Sequence, residues 1–145
     1  GTEAMYHAAV HLHLAPEFVQ EKEKRIRMAQ VNMEAAKYCK EKSAFVDAAN
    51  LLRRGLDLLD PTTMWTAHYD LAFEMTELLT KMELIMGNHD ACMDLTRLTL
   101  AKAKTLDMKI NPLLMDMEVR MTVNDMDGTV AAASRALNLL GIKMP

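Results

Sequence analysis

Basic residues are in the minority in this 145-residue chain: 17 Lys and Arg stand against 20 Asp and Glu, a net charge of −3. A nucleic-acid surface neutralises phosphates with clustered Lys and Arg, so that class of partner is disfavoured. The densest basic run, Glu21-Lys-Glu-Lys-Arg-Ile-Arg27, is interleaved with acids and reads as a solvated helix face. Long apolar runs are also missing. None approaches the roughly 20 residues a bilayer span needs, and no signal-peptide pattern opens the chain, so a cytoplasmic protein is expected. Cysteine is nearly absent. Cys39 and Cys92 sit singly in apolar stripes with no CxxC spacing, which favours reduced core thiols over a disulfide framework. Aromatics make up only 5 %. No GxxxxGK[ST] and no Gly-rich loop offers a phosphate cradle, and no cofactor is expected. Strict apolar–polar alternation is absent too, which excludes strands and leaves an all-α chain.

What is present is helical periodicity, with half the residues hydrophobic, a quarter charged and 14 methionines. At 16.3 kDa the chain is one domain's worth, long enough to bury a core. Residues 3–14 form a first helical segment, which Pro16 ends or follows as the start of the next. A long helix from about Glu17 to Lys40 places Ala29, Met33 and Ala36 on one face. After a break at Lys42-Ser43, with Ser43 expected as N-cap, residues 44–59 carry the clearest stripe: Phe45, Ala48, Ala49, Leu52, Leu56 and Leu59. Asp60-Pro61 stops it. Thr62 or Thr63 is expected to cap a stripe of Trp65, His68, Ala72, Met75, Leu79, Met82 and Met86, closed by Gly87. Asn88 would cap a helix over 89–104 facing inward through Cys92, Leu95 and Leu98 or Thr99. The next, near 107–123, would use Ile110, Leu114, Met117 and Met121, beginning near Asn111 if Pro112 belongs to its first turn. Met126, Val130, Ala133, Leu137 and Leu140 mark the last helix.

The interhelix breaks repeat. Ser43-Ala-Phe45, Gly87-Asn-His89 and Asn124-Asp-Met126 each separate a longer first helix from a shorter second one. Three residues past each break stand Ala48, Cys92 and Thr129, small every time, so the two helices of each hairpin can approach closely. The expected architecture is therefore antiparallel helical hairpins, about seven helices in all, stacked as an α-solenoid. The breaks lie 44 and 37 residues apart, longer than the ~34 of a regular tetratricopeptide repeat (TPR), so the units are unequal.

The ordered set Arg25-Ile-Arg-Met-Ala-Gln-Val-Asn-Met-Glu-Ala-Ala36, Ala44-Phe-Val-Asp-Ala-Ala-Asn-Leu-Leu-Arg-Arg-Gly-Leu56, Trp65-Thr-Ala-His-Tyr-Asp-Leu-Ala-Phe-Glu74, Gly87-Asn-His-Asp-Ala91 and Ala136-Leu-Asn-Leu-Leu-Gly-Ile142 carries a resemblance. It resembles the TPR-like helical region of large multidomain signalling ATPases. There an AAA/STAND-type ATPase module precedes the repeats, often with a Ser/Thr kinase-like domain before it and a GAF and histidine kinase domain after. Thr80, Met117 and Thr129 depart from the smaller or more apolar residues usual in that pattern. The resemblance implies a fragment of a longer signal-transduction protein, residues 1–145 forming a single non-catalytic repeat domain. No ATPase or kinase motif lies within it.

Candidate sites are few. His7 and His11 share a helical face at i, i+4, with Glu3 a turn back and His13 nearby, a spacing that could share a metal. The pair lacks the Glu of HExxH, so a solvated helix face is the simpler reading. Asp125-Met-Asp-Gly128 lacks the remaining ligands of a calcium loop and suits a helix start. Met75, Met82, Met86, Met117 and Met121 have core spacing, whereas Met93, Met108 and Met115 are free to line an adaptable groove. Partner-facing positions are expected on the first helix of each hairpin, at Asn32, Glu74 and Arg120. The function expected is a protein-interaction or regulatory scaffold that binds a protein, a peptide or a neighbouring domain. The alternatives are a compact bundle with a metal at the histidines, and a spacer with no ligand of its own.

Overall fold

The computed structural model describes residues 16–142. Among these the chain is all-helical, with six helices and no strand: α1 (Pro16–Glu41), α2 (Phe45–Leu58), α3 (Tyr69–Ile85), α4 (His89–Lys102), α5 (Leu106–Thr122) and α6 (Met126–Leu139). The helix expected over residues 3–14 lies outside the described residues. Each helix packs against its neighbours in the chain, and α3 also touches α5. The core runs through α1, α2 and α3, where Ala29, Met33, Ala36, Ala48, Ala49, Leu52, Leu59, Ala72, Met75, Leu79 and Met82 form one buried cluster. Small residues dominate the first hairpin. Gly55 continues that theme, because a Cβ there would run into the Met75 methyl and crowd Asn32.

The three breaks close in the same way. Ser43, Gly87 and Asn124 each take a left-handed backbone, at φ of 61°, 79° and 61°. In each, the N–H of that residue donates to the carbonyl three back and the next N–H donates to the carbonyl five back. The pairs are Ser43 to Lys40 with Ala44 to Cys39, Gly87 to Leu84 with Asn88 to Glu83, and Asn124 to Met121 with Asp125 to Arg120. This is a Schellman closure, which satisfies the last carbonyls of the first helix and turns the chain in a single residue. Ser43 therefore ends α1 rather than capping α2, whose N-cap position is Ala44 with no side-chain bond. Asn88 does hold the N-cap position of α4, but its amide donates to Glu83 Oε2 at 2.7 Å instead of capping.

Other boundaries differ from the sequence expectation for local reasons. Residues 61–68 form turns, so α3 begins at Tyr69. Asp60, not Thr62 or Thr63, organises the turn by accepting from both the Thr62 N–H (2.9 Å) and its hydroxyl (2.8 Å). Thr105 caps α5 by accepting from the Met108 N–H, which starts the helix at Leu106 and leaves Pro112 inside it. The inward face of α5 is Leu113, Met115, Asp116 and Val119, while Leu114 and Met121 are exposed. Met117 is half-buried. On α6 the expected stripe is largely open: Met126 and Val130 are exposed, and Ala132 is the buried residue.

Candidate functional site

Polar groups buried between helices are tied down first. Thr76, Thr80, Thr96 and Thr99 are buried within helices, and their hydroxyls donate to carbonyls one turn back, so none is left unpaired. Glu83 on α3 is fully buried and faces the Arg53 guanidinium of α2, an ion pair joining the first hairpin to the second. Asp116, also buried, accepts from Arg120 Nε at 2.8 Å and from Arg135 at 3.0 Å, which joins α5 to α6. These carboxylates are consumed by helix packing.

The open polar surface gathers elsewhere. A cleft of about 510 Å³ runs across the first helices of all three hairpins. Lys37, Lys40 and Glu41 come from α1, Glu74, Glu77, Leu78 and Lys81 from α3, and Asn111, Leu114, Met115 and Glu118 from α5. The lining alternates Lys with Glu around a short apolar strip of Leu78, Leu114 and Met115. Glu74 reaches across to Lys37 at 2.9 Å, and Lys37 also meets Glu34 at 3.4 Å. Donating a hydrogen bond to Glu74 raises the Lys37 ammonium above its ordinary range. Glu77 is the half-buried carboxylate of the lining. Burial pushes its carboxyl above the usual carboxylate range, against the opposing pull of the Asn111 hydrogen bond and the Lys81 charge.

No family model, curated protein or solved structure matches the chain. The cleft is therefore read from its own chemistry. It presents charges of both signs beside apolar side chains. Cys92 is buried, and that burial pushes its thiol up, so it is held in the unreactive form.

The residues singled out from the sequence scatter. Glu74 lines the cleft. Asn32 turns toward α2, donating to the Leu51 carbonyl at 3.3 Å. Arg120 is engaged with Asp116 and Asp125 inside the third hairpin. His7 and His11 lie outside the described residues. His89 opens α4 with its Nε2 buried and unbonded, and His68 stands at the N-cap position of α3. Of the off-stripe methionines, Met115 is buried on the inward face of α5 and borders the cleft, while Met93 and Met108 stand away from it. Glu77, Leu78, Lys81 and Asn111 went unnoticed in the sequence. The available signal was their shared place on first helices, with Glu74, Leu78 and Lys81 stepping by helical turns.

Proposed function

We propose that this chain is a non-catalytic protein-interaction module, a TPR-like array of antiparallel hairpins that holds a peptide segment across its first helices. The observation carrying this reading is that one cleft takes its lining from α1, α3 and α5 together, the first helix of every described hairpin. Stacked helical hairpins place their first helices along a common binding surface, and chain-neighbour packing is how such arrays are built. The bound segment would bring a basic side chain to Glu77 and an apolar one to the Leu78–Leu114–Met115 strip. Taken with the sequence resemblance, the module would act as a regulatory scaffold in a cytoplasmic signal-transduction ATPase, with the segment coming from a partner or from a neighbouring domain.

Selection of a random peptide library on the purified chain tests this. Enriched peptides should pair Lys or Arg with an apolar residue. Their binding should fall at least about tenfold in Glu77→Lys and Leu114→Glu, and stay unchanged in Val46→Glu on the exposed side of α2. A library that enriches no motif, or binding indifferent to both groove variants, refutes the reading.

A further inference from the structure

Glu74 and Glu77 stand three residues apart on α3, so both face the cleft, one helical turn from each other. Lys37 reaches Glu74 from α1 at 2.9 Å, and among the described residues this is the one ion pair that joins two walls of the cleft. Both side chains keep contact with water, 41 % of Lys37 and 52 % of Glu74 being exposed, and a pair this open is held weakly. Lys37 also has a second acceptor. Glu34, one turn back on α1, lies 3.4 Å from the same nitrogen and stands outside the cleft lining. The ammonium can therefore leave Glu74 and still keep a carboxylate partner. The other two lysines of the lining, Lys40 and Lys81, make no such bridge among the described residues.

Resting on the reading of the cleft as a peptide holder, we propose that Lys37 is an internal competitor of the bound segment. Its ammonium occupies the Glu74 carboxylate that an arginine of the segment takes up together with Glu77, and binding turns Lys37 back to Glu34. Arginine suits the vacated pair better than lysine does. A planar guanidinium presents several N–H donors and can meet two carboxylates at once, where an ammonium acts as a point charge. The free protein is thus partly masked, and its apparent affinity is the intrinsic one scaled by the fraction of molecules whose Glu74 is free. The mask also sets selectivity. A segment without a cation gains nothing by displacing Lys37 and is left with the apolar strip of Leu78, Leu114 and Met115 alone.

Parallel selection of a random peptide library on the wild-type chain and on Lys37→Met tests this. Fluorescence anisotropy then compares the enriched arginine peptides with the same peptides carrying citrulline in place of arginine. Lys37, Lys40 and Glu74 are all partly exposed, so their variants should keep wild-type helicity by circular dichroism. Lys37→Met should bind the arginine peptides at least about threefold more tightly than wild type, the gain expected from freeing an exposed pair, and the citrulline peptides no more tightly. Lys40→Met removes the same charge from the same cleft and should give a smaller gain. In a Glu74→Gln background Lys37→Met should bring none, since no carboxylate is left to release. Equal affinity of wild type and Lys37→Met, an equal gain in Lys40→Met, or a gain shared by the citrulline peptides overturns the proposal while peptide capture stands. If neither protein enriches a motif, the peptide reading itself fails and this proposal falls with it.

Discussion

Replacing Arg53 with alanine should be among the most damaging single changes in the described structure. Glu83 is 0 % exposed, and its two named partners are the Arg53 guanidinium and the Asn88 amide. Removing the guanidinium leaves a carboxylate in the interior with one neutral hydrogen bond. Breaking a buried ion pair from one side costs about 3–5 kcal/mol. The Arg53 side chain is itself 47 % exposed, so solvent weakens the native attraction and the lower end applies, about 3 kcal/mol. For a chain of this size that is a fall in Tm of roughly 10 °C. Urea unfolding followed by circular dichroism reads the free energy directly. The loss should also shrink at low pH. A lone buried carboxyl has its folded pKa raised above the unfolded value, so the penalty grows as pH rises through that range and is relieved below it. Replacing both partners, Arg53→Met with Glu83→Leu, should come back to within ~1 kcal/mol of wild type, since no charge is then stranded. A loss below ~1 kcal/mol for Arg53→Ala, or a double variant as unstable as the single one, would refute the reasoning.

Three further outcomes follow from the turns and the groove. Ser43 holds φ of 61° where Gly87 holds 79° with open space around it, so Ser43→Gly should stabilise and Gly87→Ala destabilise, each by about 1 kcal/mol in denaturant titration. Gly128→Ala would drive its Cβ into the Asp125 carboxylate, whose oxygen caps α6 by accepting the Gly128 N–H at 2.9 Å, and should cost ~1–2 kcal/mol. An unchanged Tm would count against that cap. The Glu77 carboxyl is raised by burial, so its ionisation opposes folding and stability is lost as pH rises through its folded pKa. Glu77→Gln should flatten that part of the stability–pH curve and leave the protein at least as stable at neutral pH.

The hairpins were legible from sequence because a single residue turns each one, and Ser43, Gly87 and Asn124 all stand at visible breaks in the stripes. Their role was less legible. Serine serves at N-caps as well as in left-handed turns, and only the backbone distinguishes the two. The first hairpin's core was plain, since Ala48, Ala49 and Leu52 have no competing apolar face. α5 misled because it is apolar on several sides. Leu113 and Leu114 are neighbours in sequence, and packing alone decides that Leu113 goes in and Leu114 lines the groove. The buried charges were hidden altogether. Glu83 and Asp116 look like surface acids until Arg53, Arg120 and Arg135 arrive from other turns or other helices. The groove was only partly readable: Glu74 stood out on a first helix, but the rest of the lining is assembled from three helices far apart in sequence.

Core density is uneven along the chain, and that has a kinetic consequence. The buried cluster is concentrated in α1 to α3, whereas α6 contributes only Ala132 to the buried hydrophobic set. Because helices pack mainly on chain neighbours, opening the last one disturbs little beyond α5. Amide protons should then exchange fastest in α6 and slowest in α2 and α3, so that the molecule unzips from one end.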